Sequence, residues 1–216
     1  MNIDLSSLTS VLGSGIYLVL ALLALWGLFC AVVVWLRVAQ CRFRNEKSQN
    51  EFLSELEQAI SRGDFAGAAA LCEHDRRAMP QLALMAISQR DLGYAKLRQM
   101  VVDRFQRDFL ADLEFRLSWV QTVIKSAPMI GLLGTVVGMM GAFAKIAGES
   151  SGGVKPAMLA GDISLALMTT ACGLAIAIPL VLCTASINVR IRKMEDLVAG
   201  GLTRFFEGLR VALAKQ

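Results

Sequence analysis

The chain lacks the residue clusters that metal centres, disulfide frameworks and most active sites require. Its 216 residues include one histidine, His74, and five cysteines, and no two cysteines form a CxxC pair. No histidine accompanies the cysteines at ligand spacing, and no nucleophile–base pair or phosphate-binding loop is visible. Zinc sites and redox motifs depend on such spacings. The sequence therefore predicts reduced cysteines, no metal or cofactor, and no enzymatic activity.

Charge is absent from three long apolar runs, at 15–36, about 126–144, and 163–187. A membrane-spanning helix needs about 20 apolar residues, so each run is long enough to cross a bilayer. The chain as a whole is 55% hydrophobic, and its charged residues lie between the runs. These features predict an all-α membrane protein with three transmembrane helices.

Positive charge is also missing before the first run, where only Asp4 is charged. Basic residues cluster after the first run, before the second and after the third: Arg37, Arg42, Arg44, Lys47, Arg104, Arg107, Arg116, Lys125, Arg190, Arg192 and Lys193. Because lysine and arginine favour the cytosolic side, the N-terminus is predicted outside and the C-terminus inside. A cleaved signal peptide is the alternative for the first run, but a signal peptide would carry a positive n-region and a shorter apolar stretch.

The predicted organisation is an alternation of membrane and water-exposed segments. The outer segments are 1–14 and 146–161, the transmembrane helices are 15–36, 124–145 and 162–188, and the cytosolic segments are a helical domain at 37–123 and a C-terminal helix at 189–216. The glycine-rich stretch 148–153 predicts a flexible turn. Because that link is short, the second and third spans are expected to be antiparallel neighbours.

Local patterns predict that the cytosolic domain is helical. Apolar residues recur at helical spacing from Phe52 to Ile60, and Asp64 is a plausible N-cap for a helix over 65–72. Pro80 is expected to start another short helix, which 91–93 would end. The apolar spacing from Leu97 to Leu117 continues into the second span, so one long helix is predicted from Tyr94 to Lys145. The C-terminal helix would resemble it, with Gly200–Gly201 as a place that could loosen it.

Small residues line one face of each of the last two spans. The faces are Gly131, Thr135, Gly138 and Ala142 on the second span, and Ala166, Thr170, Gly173 and Ala177 on the third. Gly134 and Gly138 also form a GxxxG motif, and close helix packing alone would explain the glycines. Pro128 and Pro179 predict kinks, and each frees a backbone carbonyl at membrane depth.

The threonines favour a polar path over packing alone. A rise of about 1.5 Å per residue puts Thr135 and Thr170 at similar depth, roughly 14 Å and 11 Å from the outer ends of their spans. A hydroxyl can donate to a carboxylate and accept from a carboxylic acid. Neither span contains an acid, so either no ion is transported or a partner brings the carboxylate. Lys125, near the inner mouth, could reach the interface or bias ions there.

Two segments resemble the ExbB/TolQ/MotA family of ion-driven motor subunits. Residues 127–138, APMIGLLGTVVG, resemble that family's signature, and 170–174, TACGL, with 177–179, AIP, resemble its last span. The layout of three spans with the N-terminus outside is closest to ExbB, with TolQ next, since MotA-type stators have four spans.

The resemblance implies a multi-pass protein of the bacterial inner membrane. It implies a homopentamer around two copies of a single-span ExbD- or TolR-like partner whose aspartate carries the proton. Thr135, Thr170 and the additional Thr169 would line the pore, and the output would reach a TonB-like or TolA-like effector to energise outer-membrane transport. Well-known ExbB members have a glutamate where this chain has Leu165, so the pore is expected to be less polar. With no carboxylate near the threonines, protons are favoured over sodium.

Three alternatives remain open. A TolQ-like role in envelope maintenance and a gliding-type stator share the motor mechanism. A passive membrane scaffold, whose glycines and threonines only pack helices, belongs to a different class.

Overall fold

The computed structural model describes residues 5–43, 45–148 and 156–213, which contain helices and turns and no strand. The helices are α1 (Leu5–Cys41), α2 (Glu46–Ser61), α3 (Phe65–Glu73), α4 (Ala78–Ser88), α5 (Tyr94–Arg104), α6 (Ala111–Gly148) and α7 (Pro156–Leu213). A 3₁₀ turn at Arg90–Leu92 precedes α5, and a π-helical segment at Phe105–Leu110 joins α5 to α6. The predicted all-α class is confirmed.

Three helical stretches within the described residues are long and apolar enough to cross a membrane: Gly15–Cys41, Tyr94–Ile146 and Leu159–Ala212. Each of them contains one of the three predicted apolar runs. Many of their large apolar side chains are exposed, as lipid-facing side chains would be. The predicted number of spans is confirmed, while the orientation with the N-terminus outside stays a prediction.

The helix predicted from Tyr94 to Lys145 extends to Gly148 and contains the π-helical segment, which the sequence pattern did not predict. The apolar residues from Leu97 to Leu117 recur every four residues, whereas an α-helix turns every 3.6 residues. A regular helix would therefore rotate this series by about 40° at each step. Phe105, Leu113 and Leu117 are all buried. A π turn closes its hydrogen bonds over five residues and so absorbs part of this drift.

The chain divides into two compact units. The first comprises the described parts of Met1–Val32 and Leu117–Ala185, and the second those of Val33–Arg116 and Ser186–Gln216. The second unit has a core of large side chains that are almost fully buried, including Leu53, Leu56, Met79, Leu82, Leu97, Phe205, Phe206 and Leu209. Phe206 packs edge-on against Phe205 and Tyr94. The second unit therefore has an apolar core of its own.

Polar contacts also stabilise the helices of the second unit. Asp64 caps α3, since its side chain accepts a hydrogen bond of 2.8 Å from the backbone N–H of Gly67, as predicted. The buried amide of Gln49 donates to the carbonyl of Leu197, 2.5 Å away, and so links α2 to α7. The bond of Gln49 satisfies a side-chain amide that would otherwise be costly to bury.

Two local predictions in the second unit were wrong. Helix α4 begins at Ala78, so Pro80 lies within the first turn, where a missing N–H costs no helical hydrogen bond. Helix α7 runs without a break through Gly200 and Gly201. Gly201 is buried, and a Cβ there would lie 2.7 Å from Gln49 Nε2 and 3.2 Å from Met79 Sδ. The glycine thus serves packing and does not loosen the helix.

Of the predicted turn at 148–153, Gly148 ends α6 and the rest lies outside the described residues.

Candidate functional site

Helices α6 and α7 pack against each other in the first unit through small residues, and they run antiparallel. Gly173 lies against Ala127, Gly131 lies against Thr169 and Thr170, and Gly138 lies against Ala166. A Cβ on Gly131 would stand 2.8 Å from the carbonyl oxygen of Thr169, and one on Gly173 would stand 2.6 Å from that of Ala127. Because both obstacles are backbone atoms, the two helices can approach this closely only with glycine at these positions.

Thr169 lies inside this interface. The residue is 4% exposed, and its Oγ1 lies 2.9 Å from the carbonyl oxygen of Gly131 on α6 and 2.7 Å from that of Ala166 on its own helix. It occupies the space that Gly134 leaves open, since a Cβ on Gly134 would stand 2.7 Å from the Cβ of Thr169. The third threonine predicted for the pore is therefore packed between the two helices.

The two other threonines lie at the edge of the interface. Thr135 is half-buried, and its hydroxyl donates to the carbonyl of Leu132 in its own helix at 2.7 Å. Thr170 is also half-buried, but its Oγ1 is buried and has no hydrogen-bond partner among the described residues. Because Gly131 faces Thr170, Thr135 lies about four residues, or about 6 Å, further along α6. The hydroxyl-bearing residues are thus about one helical turn apart along the pair.

Charged side chains are scarce in the described part of the first unit, where they are Lys125, Lys145 and Asp162. Lys145 and Asp162 neutralise each other in an ion pair of 2.7 Å between α6 and α7. Lys125 is exposed and has no ion pair within this described part. Among the described residues no three His, Cys, Asp or Glu side chains are grouped to hold a metal. This helix pair therefore offers hydroxyls and carbonyls to an ion, but no carboxylate near the threonines.

Prolines interrupt the hydrogen bonding of both helices without ending them. Pro128 packs beside Gly173, whose Cβ would stand 3.2 Å from the proline Cα. Pro179 is exposed on α7. Because proline has no N–H, each leaves the carbonyl four residues earlier, that of Ile124 or Ala175, without its usual donor. These carbonyls are further acceptors on the pair.

The part of α1 up to Val32 completes the first unit, and two of its contacts were not predicted. The hydroxyl of Tyr17 donates to the carbonyl of Leu165 at 3.1 Å, while the Leu165 side chain is exposed. Gly27 lets α1 approach the other helices, since a Cβ there would stand 2.8 Å from Leu180 Cδ1 and 2.9 Å from Val123 Cγ1. Apart from Trp26 and Trp35, Tyr17 is the only residue of the first apolar run whose side chain ends in an oxygen or nitrogen atom. This isolated polar group is the sequence signal that could have indicated the contact with Leu165.

A buried hydroxyl at Thr184 was also missed by the sequence patterns. The residue is 8% exposed, and its Oγ1 has no hydrogen-bond partner among the described residues. It follows Leu180 by one turn, and Leu180 belongs to an apolar cluster with Ala31, Val120 and Val123. The hydroxyl of Thr184 thus lies on the same helix as that of Thr170 but beyond an apolar layer.

Comparison with known proteins identifies the family. Residues 82–199, more than half of the chain, match the MotA/TolQ/ExbB proton channel family. The chain is 36% identical over 116 residues to the biopolymer transport protein ExbB of Helicobacter pylori, which covers 54% of this chain and 76% of that protein. It is 34% identical over 105 residues to ExbB of Aquifex aeolicus, covering 48% and 68%. It is 37% identical over 87 residues to the Tol-Pal system protein TolQ of Haemophilus influenzae, covering 40% and 37%.

The chain belongs to the MotA/TolQ/ExbB proton channel family, as its motifs predicted. It is an inner-membrane protein with three helices able to span the bilayer. The family is a channel family and not an enzyme family.

Proposed function

We propose that this chain is the multi-span subunit of a proton-driven motor, and that a second protein completes its proton path. The observation that carries the proposal is the hydroxyl of Thr170, which is buried and has no partner among the described residues. A buried hydroxyl without a partner costs about 1–3 kcal/mol. A carboxylate from another chain would remove that cost once the Thr170 side chain turned its Oγ1 out of the helix interface.

The chemistry of the pair suits a carboxyl group in both of its protonation states. The hydroxyl of Thr170 can donate to a carboxylate, and its oxygen can accept from the protonated acid. The hydroxyl of Thr135 already donates to the carbonyl of Leu132. Its oxygen can still accept a hydrogen bond from a protonated carboxylic acid. The partner is proposed to be a single-span ExbD- or TolR-like protein with an intramembrane aspartate. Two copies of it would lie inside a homopentamer of this chain, with the N-terminus of each subunit outside.

Proton flow down the membrane potential would supply the work. Each charge that crosses 100 mV is worth about 2.3 kcal/mol, so several charges per cycle support a sizeable conformational change. The proposed output is movement of the partner relative to the pentamer, which energises TonB-dependent outer-membrane transport. The ExbB proteins among the relatives favour this role. A TolQ-like role in the Tol-Pal system is the second candidate, since a TolQ protein matches at similar identity.

The test is to purify the tagged full-length chain from its native membranes in mild detergent and to analyse the complex by native mass spectrometry. Five copies of the chain with two copies of a one-span protein that has an intramembrane aspartate would support the proposal. An oligomer without any such partner would favour a passive scaffold. Cross-linking before extraction would show whether the effector is TonB-like or TolA-like.

A further inference from the structure

Thr169 differs from the other two threonines of the site because its hydroxyl joins two helices. Its Oγ1 lies 2.9 Å from the carbonyl of Gly131 on α6 and 2.7 Å from the carbonyl of Ala166 on α7. The residue is 4% exposed. A single hydroxyl proton serves these two carbonyls, so it is committed to backbone atoms inside the interface and does not face a passing acid.

The carbonyl of Gly131 has a second role in α6. In an α-helix the N–H of each residue donates to the carbonyl four residues earlier, so the N–H of Thr135 donates to this same carbonyl. Thr169 is also the neighbour of Thr170 in the chain. One hydroxyl group therefore connects the backbone that carries Thr135 with the backbone that carries Thr170.

We propose that Thr169 is a positioning residue, which fixes the register of α6 against α7 and so holds the hydroxyls of Thr135 and Thr170 in place for the carboxyl group. The inference rests on the proposed function for the roles of those two threonines. It assigns Thr169 a place behind the proton path and not in it.

Simple packing is the competing explanation, because Thr169 also fills the space above Gly134. The two explanations depend on different atoms of the side chain. Valine keeps the shape of threonine and loses the hydroxyl, whereas serine keeps the hydroxyl and loses a methyl group. If the hydroxyl positions the site, Thr169→Ser should behave like the native protein and Thr169→Val should not.

The experiment measures proton flux against pH in proteoliposomes that contain the complete complex with its partner. Thr169→Val is expected to assemble normally and to lower the flux by about tenfold or more, since small misplacements of reacting groups cost up to about a hundredfold. It should also move the midpoint of the flux–pH profile in the same direction as Thr170→Val. Thr169→Ser should keep the native midpoint. The matched control is Thr122→Val, whose native hydroxyl is exposed and donates only to Ser118 of its own helix.

A second readout does not depend on transport. Solid-state NMR of the labelled full chain in bilayers should show that Thr169→Val moves the carbonyl resonance of Gly131 and the amide resonance of Thr135, whereas Thr122→Val moves neither. Native flux in Thr169→Val, or an equal loss of flux in Thr169→Ser, would overturn the proposal. If the native complex conducts no protons, the proposed function fails, and the NMR shifts alone then decide whether Thr169 sets the position of Thr135.

Discussion

Lys145 on α6 and Asp162 on α7 form an ion pair, with Nζ 2.7 Å from Oδ2. It closes the helix pair at the end where α6 finishes and α7 begins. The threonines and glycines of the interface precede Lys145 in α6 and follow Asp162 in α7. They therefore lie between this ion pair and Lys125. Of the charged groups in the described part of the first unit, only Lys125 remains on the other side of them.

The ion pair is expected to stabilise the helix pair only slightly. Both side chains are partly exposed, and exposed pairs contribute about 0.2–1 kcal/mol. A double-mutant cycle of Lys145→Ala and Asp162→Ala, followed by unfolding in detergent, should give a coupling energy in that range. The coupling should shrink as salt is added. A coupling of several kcal/mol, or one that salt does not change, would contradict this picture.

Gly131 should not tolerate even the smallest side chain. In Gly131→Ala the new Cβ would stand 2.8 Å from the Thr169 carbonyl oxygen and 2.9 Å from the Thr170 Cα. Overpacking of this kind costs about 1–3 kcal/mol, and thermal unfolding of the full chain would measure it. The control is Gly161→Ala, where the added Cβ would have no atom within 4 Å outside its own stretch of helix. That change should instead stabilise α7 by up to about 1 kcal/mol. Equal melting temperatures for the two variants would disprove the close contact.

The two unpartnered hydroxyls should respond differently to the same substitution. Thr184→Val replaces a buried hydroxyl that has no partner in the described chain, so it should raise the unfolding free energy by about 1 kcal/mol and leave proton-dependent activity intact.

Thr170→Val should assemble but lose most of that activity, and Thr135→Ala should act in the same direction. The measurements are chemical unfolding and proton flux of the reconstituted complex. Full flux in both Thr170→Val and Thr135→Ala would remove these residues from the path.

The thiol of Cys72 should make stability fall at high pH. Burial, with a smaller contribution from Asp75, raises its pKa from 9.0 to about 11. Because the folded pKa is raised, this group's contribution to stability is complete below about pH 9 and is lost as the pH rises towards 11. In Cys72→Ala the decline over this range should be smaller by about 1–3 kcal/mol. Identical slopes for the variant and the native chain would show that the thiol ionises as easily when folded. In the native fold the same thiol should resist alkylation at pH 8.

Much of the fold could be predicted because it depends on local or nearly local properties. An apolar run of 20 residues has few alternatives to a membrane helix, and Asp64 caps α3 through a neighbour only three residues away. The π-helical segment was not predicted, although the four-residue apolar repeat that accompanies it is visible in the sequence. The repeat shows that one helical face is apolar, but not where the backbone hydrogen bonds change from four residues to five.

The sequence by itself determined three spans, their family, the glycines that permit close packing, and the absence of an acid between Ser126 and Ala144. Only the tertiary structure decided how the threonines differ. Thr169 is held between two helices, whereas the hydroxyl of its neighbour Thr170 has no partner in the described part of the chain. Sequence spacing places Thr169 and Thr170 side by side with the same chemistry. The packing of α7 against Gly131 and Gly134 bonds the Thr169 hydroxyl to the backbone of α6 and leaves the buried Thr170 hydroxyl without a partner among the described residues.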